Sequence, residues 1–90
     1  MAGAQLVSIR KRLGLGRLLF GYLVGMTGEE ENIKNTIKRY ESGMREISPM
    51  LERLAIMLLW FHEDHGYIPD LDKPDRIAWY RTARAGVANE

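Results

Sequence analysis

Between Ile33 and Ser42 the chain sets polar side chains able to make paired hydrogen bonds against an apolar stripe of helical period. Ile33, Ile37 and Tyr40 claim one face of a helix for a core, which leaves Lys34, Asn35, Lys38 and Arg39 facing outward. An asparagine amide holds a donor and an acceptor side by side and matches the exposed edge of adenine, while arginine and lysine match guanine. A helix that presents such a set to solvent has the chemistry and the width to lie in the major groove of duplex DNA. The bland alternative is a solvated basic face, and charge alone favours it.

Other candidate chemistry is thinner. His62, Glu63, Asp64 and His65 are four potential metal ligands in a row, but neighbouring helical residues point in different directions. The two histidines are spaced i, i+3 where i, i+4 is the usual pairing on one face. No metal is expected, and His65 suits the negative end of a helix better. Gly14 and Gly16 end one helix and start another, with no strand before them to make a phosphate loop. No nucleophile has a plausible base, and no carboxylate pair sits in a forced environment, so the chain is not expected to be an enzyme or to carry a cofactor.

Helices are the elements that must position these groups, since no run of alternating β-branched residues occurs. The first is predicted from Ala4 to Leu13, with Leu6, Ile9 and Leu13 inward and Gly14 as its stop. The second runs from Arg17 to Val24, with Leu19, Phe20, Leu23 and Val24 inward and Gly25 as its stop. A third begins between Gly28 and Ile33 and reaches Ser42, with Thr27 and Glu30 forming a capping-box pattern, Asn32 as a second possible cap and Gly43 at the end. Ser48 and Pro49 open the fourth, which lasts to His65 before Gly66. A short helix from Pro74 to Arg84, with Ile77, Trp79 and Tyr80 as contacts, completes the set, and the residues after Ala85 fray. The expectation is an all-α bundle of four core helices plus a short C-terminal one, with a domain over residues 1–66 and an extension over 67–90.

The fourth helix is apolar on two sides. Ile47, Leu51, Leu54, Ala55, Leu58 and Phe61 make one stripe, and Met50, Ile56, Met57 and Trp60 lie largely on the other. Two faces need two partners. One is the core; the other is a second copy of the chain, preferred here because symmetric dimers are the commonest small assemblies, or the last segment folding back.

Composition sets bounds on partners. Ninety residues make one modest core, and the absence of cysteine removes disulfides and thiolate zinc sites from the account. The net charge of +1 hides patches: Arg10, Lys11, Arg12 and Arg17 early, Lys34, Lys38, Arg39 and Arg45 in the middle, Arg76, Arg81 and Arg84 late, and acids from Glu29 to Glu31. Leu13 to Met26 is too short to span a bilayer and carries Arg17, and its glycines spoil a signal peptide. No membrane partner is expected, and the cytoplasm is the expected compartment.

An ordered set of short motifs adds a resemblance. Arg10, Leu13-Gly14-Leu15, Phe20-Gly21, Val24-Gly25, Thr36-Ile37-Lys38-Arg39-Tyr40-Glu41-Ser42-Gly43, Arg45 and Ser48-Pro49 follow one another along the chain. The run resembles the phage-repressor and Cro-like helix-turn-helix regulators, the XRE family. The resemblance implies base reading by Lys34, Asn35 and Arg39 with Thr36 and Lys38 beside them, phosphate contacts from Arg17 and Arg45, and an internal ion pair of Arg10 with Glu41. The expected protein is a cytoplasmic, nucleoid-associated homodimer that recognises an inverted repeat in double-stranded DNA and regulates a phage or mobile-element operon, repression being preferred over activation because ninety residues leave little room for a separate effector domain. Gly16 and Arg17 replace the Ser-Gln or Thr-Gln that usually opens helix 2, and Gly28 to Ile33 are extra before the recognition helix. A protein-interaction module on the same fold, such as an antitoxin bound to its toxin or a small packaging subunit, is the competing expectation.

Overall fold

A computed structural model describes residues 1–68. Four helices follow one another: α1 (Gly3–Arg12), α2 (Arg17–Leu23), α3 (Glu30–Ser42) and α4 (Pro49–His65). Among the described residues there is no strand, and the protein is an all-α bundle. The short helix expected from Pro74 to Arg84, and the tail after it, lie outside the described residues.

The ends of the helices follow from their local chemistry. In α1 the Gln5 side chain accepts a hydrogen bond from the Ala2 backbone N–H at 2.7 Å, which satisfies one of the donors a helix start leaves open. Ser48 caps α4, its hydroxyl accepting from the Leu51 N–H at 3.1 Å, and Pro49 follows at the first helical position. Gly43 and Gly66 close α3 and α4 in the left-handed conformation. The start of α3 differs from its expected form. Thr27 is not the cap: Gly28 takes a φ of 114° and turns the chain, Glu29 becomes the N-cap without a side-chain bond, and Asn32 lies inside the helix. Residues 30–33 of the extra segment therefore form the first turn of α3, and the loop between α2 and α3 is only residues 24–29.

α1 packs against both α3 and α4, and α2 packs on α3. Leu6, Phe20 and Ile37 are fully enclosed at the centre, with Ile9, Leu13, Leu15, Val24, Ile47, Leu51, Ala55 and Leu59 around them. Ile68, just past α4, joins the same core. Each buried leucine or isoleucine contributes on the order of 2 kcal/mol by leaving water. The inward residues of α4 are Leu51, Ala55 and Leu59, whereas Leu54, Leu58 and Phe61 are half-buried at its edges. Leu59 and Tyr22 are core residues that the sequence reading did not include.

Two glycines set how closely helices approach. Gly21 is buried in α2, and a Cβ there would run into the Ile33 side chain on α3. Gly3 opens α1 directly over the carbonyls of Tyr40 and Glu41, where a Cβ would meet backbone that cannot swing aside. The first contact holds α3 against α2, and the second holds its C-terminal end against α1.

Candidate nucleic-acid interface

α3 is the most strongly two-sided element. Ile33 and Ile37 are buried, Tyr40 is half-buried, and Lys34, Asn35, Lys38 and Arg39 are exposed. Thirteen residues make a rod roughly 20 Å long, so its outward face spans several base pairs. Lys34, Asn35 and Lys38, with Glu31 one turn earlier, line one side of an open groove. The other side is built from Arg10 on α1 and from Gly16, Arg17 and Leu18 at the start of α2. From the described residues, four cations, one carboxylate and one amide thus face a single concavity.

Under this groove lies an ion-pair triad. Arg10 Nε donates to Glu41 Oε2 at 2.6 Å, its Nη2 lies 3.3 Å from Oε1, and its Nη1 donates to the Leu15 carbonyl at 3.0 Å. Arg17 Nε donates to Glu41 Oε1 at 2.8 Å. The Glu41 side chain is only 4% exposed and that of Arg10 11%, while Arg17 remains 42% exposed. Burial pushes the Glu41 carboxyl up, but hydrogen bonds from Arg10 and Arg17, reinforced by their charges, outweigh it and hold the group below the usual carboxylate range. One carboxylate therefore ties the end of α3 to α1 and to the start of α2. It also engages the Nε of Arg17 while the rest of that guanidinium stays at the groove.

The remaining candidates have distinct environments. The Thr36 hydroxyl donates to the Asn32 carbonyl at 2.7 Å, a bond back into its own helix that occupies its hydrogen. Lys34 Nζ is 3.8 Å from Glu31 Oε2, an exposed pair worth well under 1 kcal/mol. Arg39 is exposed but does not line the groove. Arg45 lies beyond the C-terminal end of α3 with its guanidinium 5.3 Å from the centre of the Tyr40 ring, a cation–π contact that orients it. Glu29, Glu30 and Glu31 surround the positive end of α3, which favours them electrostatically, yet Glu31 also places negative charge in the groove.

The groove's dependence on Glu41 was not read from the sequence, because Arg17 and Glu41 are 24 residues apart and no helical period relates them. Gly16 and Leu18 line the groove through their place at the start of α2. At the far end of α4, the His65 ring packs on Phe61 at 4.4 Å between centroids, and Phe61 meets Tyr67 edge-on at 5.2 Å. No three potential ligands converge on a metal position among the described residues. Nor is any described helix long and apolar enough to cross a membrane.

On α4, Met50, Met57 and Trp60 are 75%, 53% and 63% exposed. Ile56, assigned to the same contact surface, is half-buried against the core. Comparison with protein-family models, curated proteins and solved structures finds no match to this chain.

Proposed function

We propose that this protein is a DNA-binding regulator of the helix-turn-helix kind, reading base edges with the outer face of α3. The observation that carries the reading is the shared groove: Lys34, Asn35 and Lys38 on α3 face the same concavity as Arg17 at the start of α2. Side chains that suit base edges thus lie beside a cation that suits a phosphate, which is how a recognition helix is held in register on a duplex. Asn35 and Lys34 read bases with Arg39 and Lys38 beside them. Thr36 contributes its methyl group, since its hydroxyl hydrogen is engaged. Arg17 and Arg45 hold phosphates on either side.

Occupancy of an operator is by itself sufficient for repression. The regulator is a cytoplasmic homodimer on an inverted repeat, and the XRE resemblance points to a phage or mobile-element operon. Selection from a pool of random duplexes tests the reading. Enrichment of one palindromic site supports it, and failure to retain any duplex at low salt overturns it.

The exposed apolar side chains of α4 favour a second reading. A toxin or packaging protein seated there would make the chain a protein-interaction module that keeps the fold without reading DNA.

A further inference from the structure

The outward face of α4 carries a pattern finer than exposure. Met50, Arg53, Met57, Trp60 and Asp64 are all exposed and follow one another at alternating intervals of three and four residues, the spacing of a coiled-coil seam. At 3.6 residues per turn this row lies about 180° around the helix from the buried row of Leu51, Ala55 and Leu59. The core therefore uses one side of α4 and leaves the seam directly opposite.

The seam is also a palindrome in chemistry. Met57 and Trp60 flank the point between Leu58 and Leu59 symmetrically, and Arg53 and Asp64 flank the same point further out. A two-fold axis through that point, perpendicular to the helix, brings Met57 of one copy onto Trp60 of the other and Arg53 onto Asp64, twice over. A parallel pairing instead stacks arginine on arginine and aspartate on aspartate. Among the described residues neither Arg53 nor Asp64 makes an ion pair, so no described side chain neutralises either charge.

From this self-complementarity we infer that the partner of α4 is α4 of a second copy, antiparallel, with its two-fold axis between Leu58 and Leu59. An isologous contact requires a patch that complements itself on rotation, and Arg53, Met57, Trp60 and Asp64 do so, while Met50 falls opposite position 67 beyond the helix end. Half-buried Leu54, Ile56 and Phe61 border the seam and widen its apolar base. None of the described residues that line the groove belongs to α4, so the seam and the groove share no side chain. The inference specifies the homodimer of the proposed function, and its test uses no DNA, so that either idea can fail without the other.

The test is the mass of the full chain in solution across a concentration series, by sedimentation equilibrium. The wild type is expected to be a dimer. Arg53→Asp and Asp64→Arg each set like charges against each other at two symmetry-related places and are expected to weaken the dimer at least about a hundredfold. The double variant restores opposite charges and is expected to recover most of that loss, which also answers the objection that a single variant is misfolded. Met50→Cys reads orientation, because antiparallel helices hold the two thiols far apart, whereas parallel ones let them oxidise to a disulfide. A wild type that stays monomeric at every concentration overturns the inference, whether residues 69–90 or a different protein cover the seam. So does a single reversal that leaves the dimer intact, a double variant that fails to recover it, or ready cross-linking of Met50→Cys.

Discussion

Arg10 and Glu41, 31 residues apart in the chain, meet side-on with Nε 2.6 Å from Oε2, and the same carboxylate holds Arg17 through its other oxygen. The last turn of α1, the start of α2 and the end of α3 are joined at this point. Because Glu41 is almost wholly covered, loss of either member of its pair with Arg10 strands a charge in a poorly solvated place. Glu41→Ala is expected to cost on the order of 3 kcal/mol, read as a lower midpoint in urea. Arg17→Ala, at a half-exposed position, is expected to cost under about 1 kcal/mol.

The same triad gives stability a pH dependence of known sign. The carboxyl of Glu41 is held below its ordinary value in the folded chain, so the unfolded chain binds its proton first as pH falls. Its stabilisation is complete above the unfolded carboxylate value, near pH 4.3, and is lost as pH drops through the lower folded value. Thermal melts between pH 7 and pH 2 should show the wild type losing more stability than Glu41→Gln over the acid range. Equal slopes for the two chains would contradict this account of the triad.

Close helix approach makes two small substitutions costly. Gly3→Ala drives a methyl group into backbone carbonyls of α3 and is expected to destabilise by about 2 kcal/mol despite the helix preference of alanine. Gly21→Ala meets the stiff, β-branched Ile33 and is expected to cost about 1 kcal/mol net. Denaturant midpoints rank the two, and an increase in stability for Gly3→Ala would show that α1 does not sit where the structure places it.

Reading and holding separate on DNA. Asn35→Ala is expected to relax preference at about one base pair, at a cost of roughly 1 to 3 kcal/mol on the preferred site and little elsewhere. Arg17→Ala weakens all sequences alike. Glu31→Gln removes the only carboxylate that the described residues bring to the groove and is expected to tighten every duplex several-fold at low salt. A uniform loss from Asn35→Ala, measured over a set of operator variants, would remove it from the base readers.

Trp60→Glu places a charge at the centre of the outward face of α4, where the ring is now mostly exposed. The expected product is a monomer with an unchanged helical circular dichroism spectrum, and a dimer that persists would exclude α4 as the subunit contact.

Much of the fold was legible because its signals are local. Ser48-Pro49 and Gly66 bracket α4, and Gly14 and Gly43 stop α1 and α3 through backbone conformations that glycine adopts at least cost. The start of α3 was not legible, since a left-handed turn at Gly28 separates Thr27 from the helix it matches on paper. Within α4 the run from Ala55 to Phe61 is entirely apolar, so periodicity could not single out Leu59 as an inward residue. The groove divides in the same way. Its α3 side follows from helical period, but the Arg17–Glu41 bond is a tertiary contact that no spacing encodes.

The most direct test of the account is duplex affinity of the full chain across a salt series, for the wild type and for Lys38→Ala. The prediction is a steep linear fall of log affinity with log salt, with a slope reduced by about 1 in the variant. A wild type that binds no duplex at 50 mM salt, or a slope that Lys38→Ala leaves untouched, would contradict the claim that the outer face of α3 meets DNA.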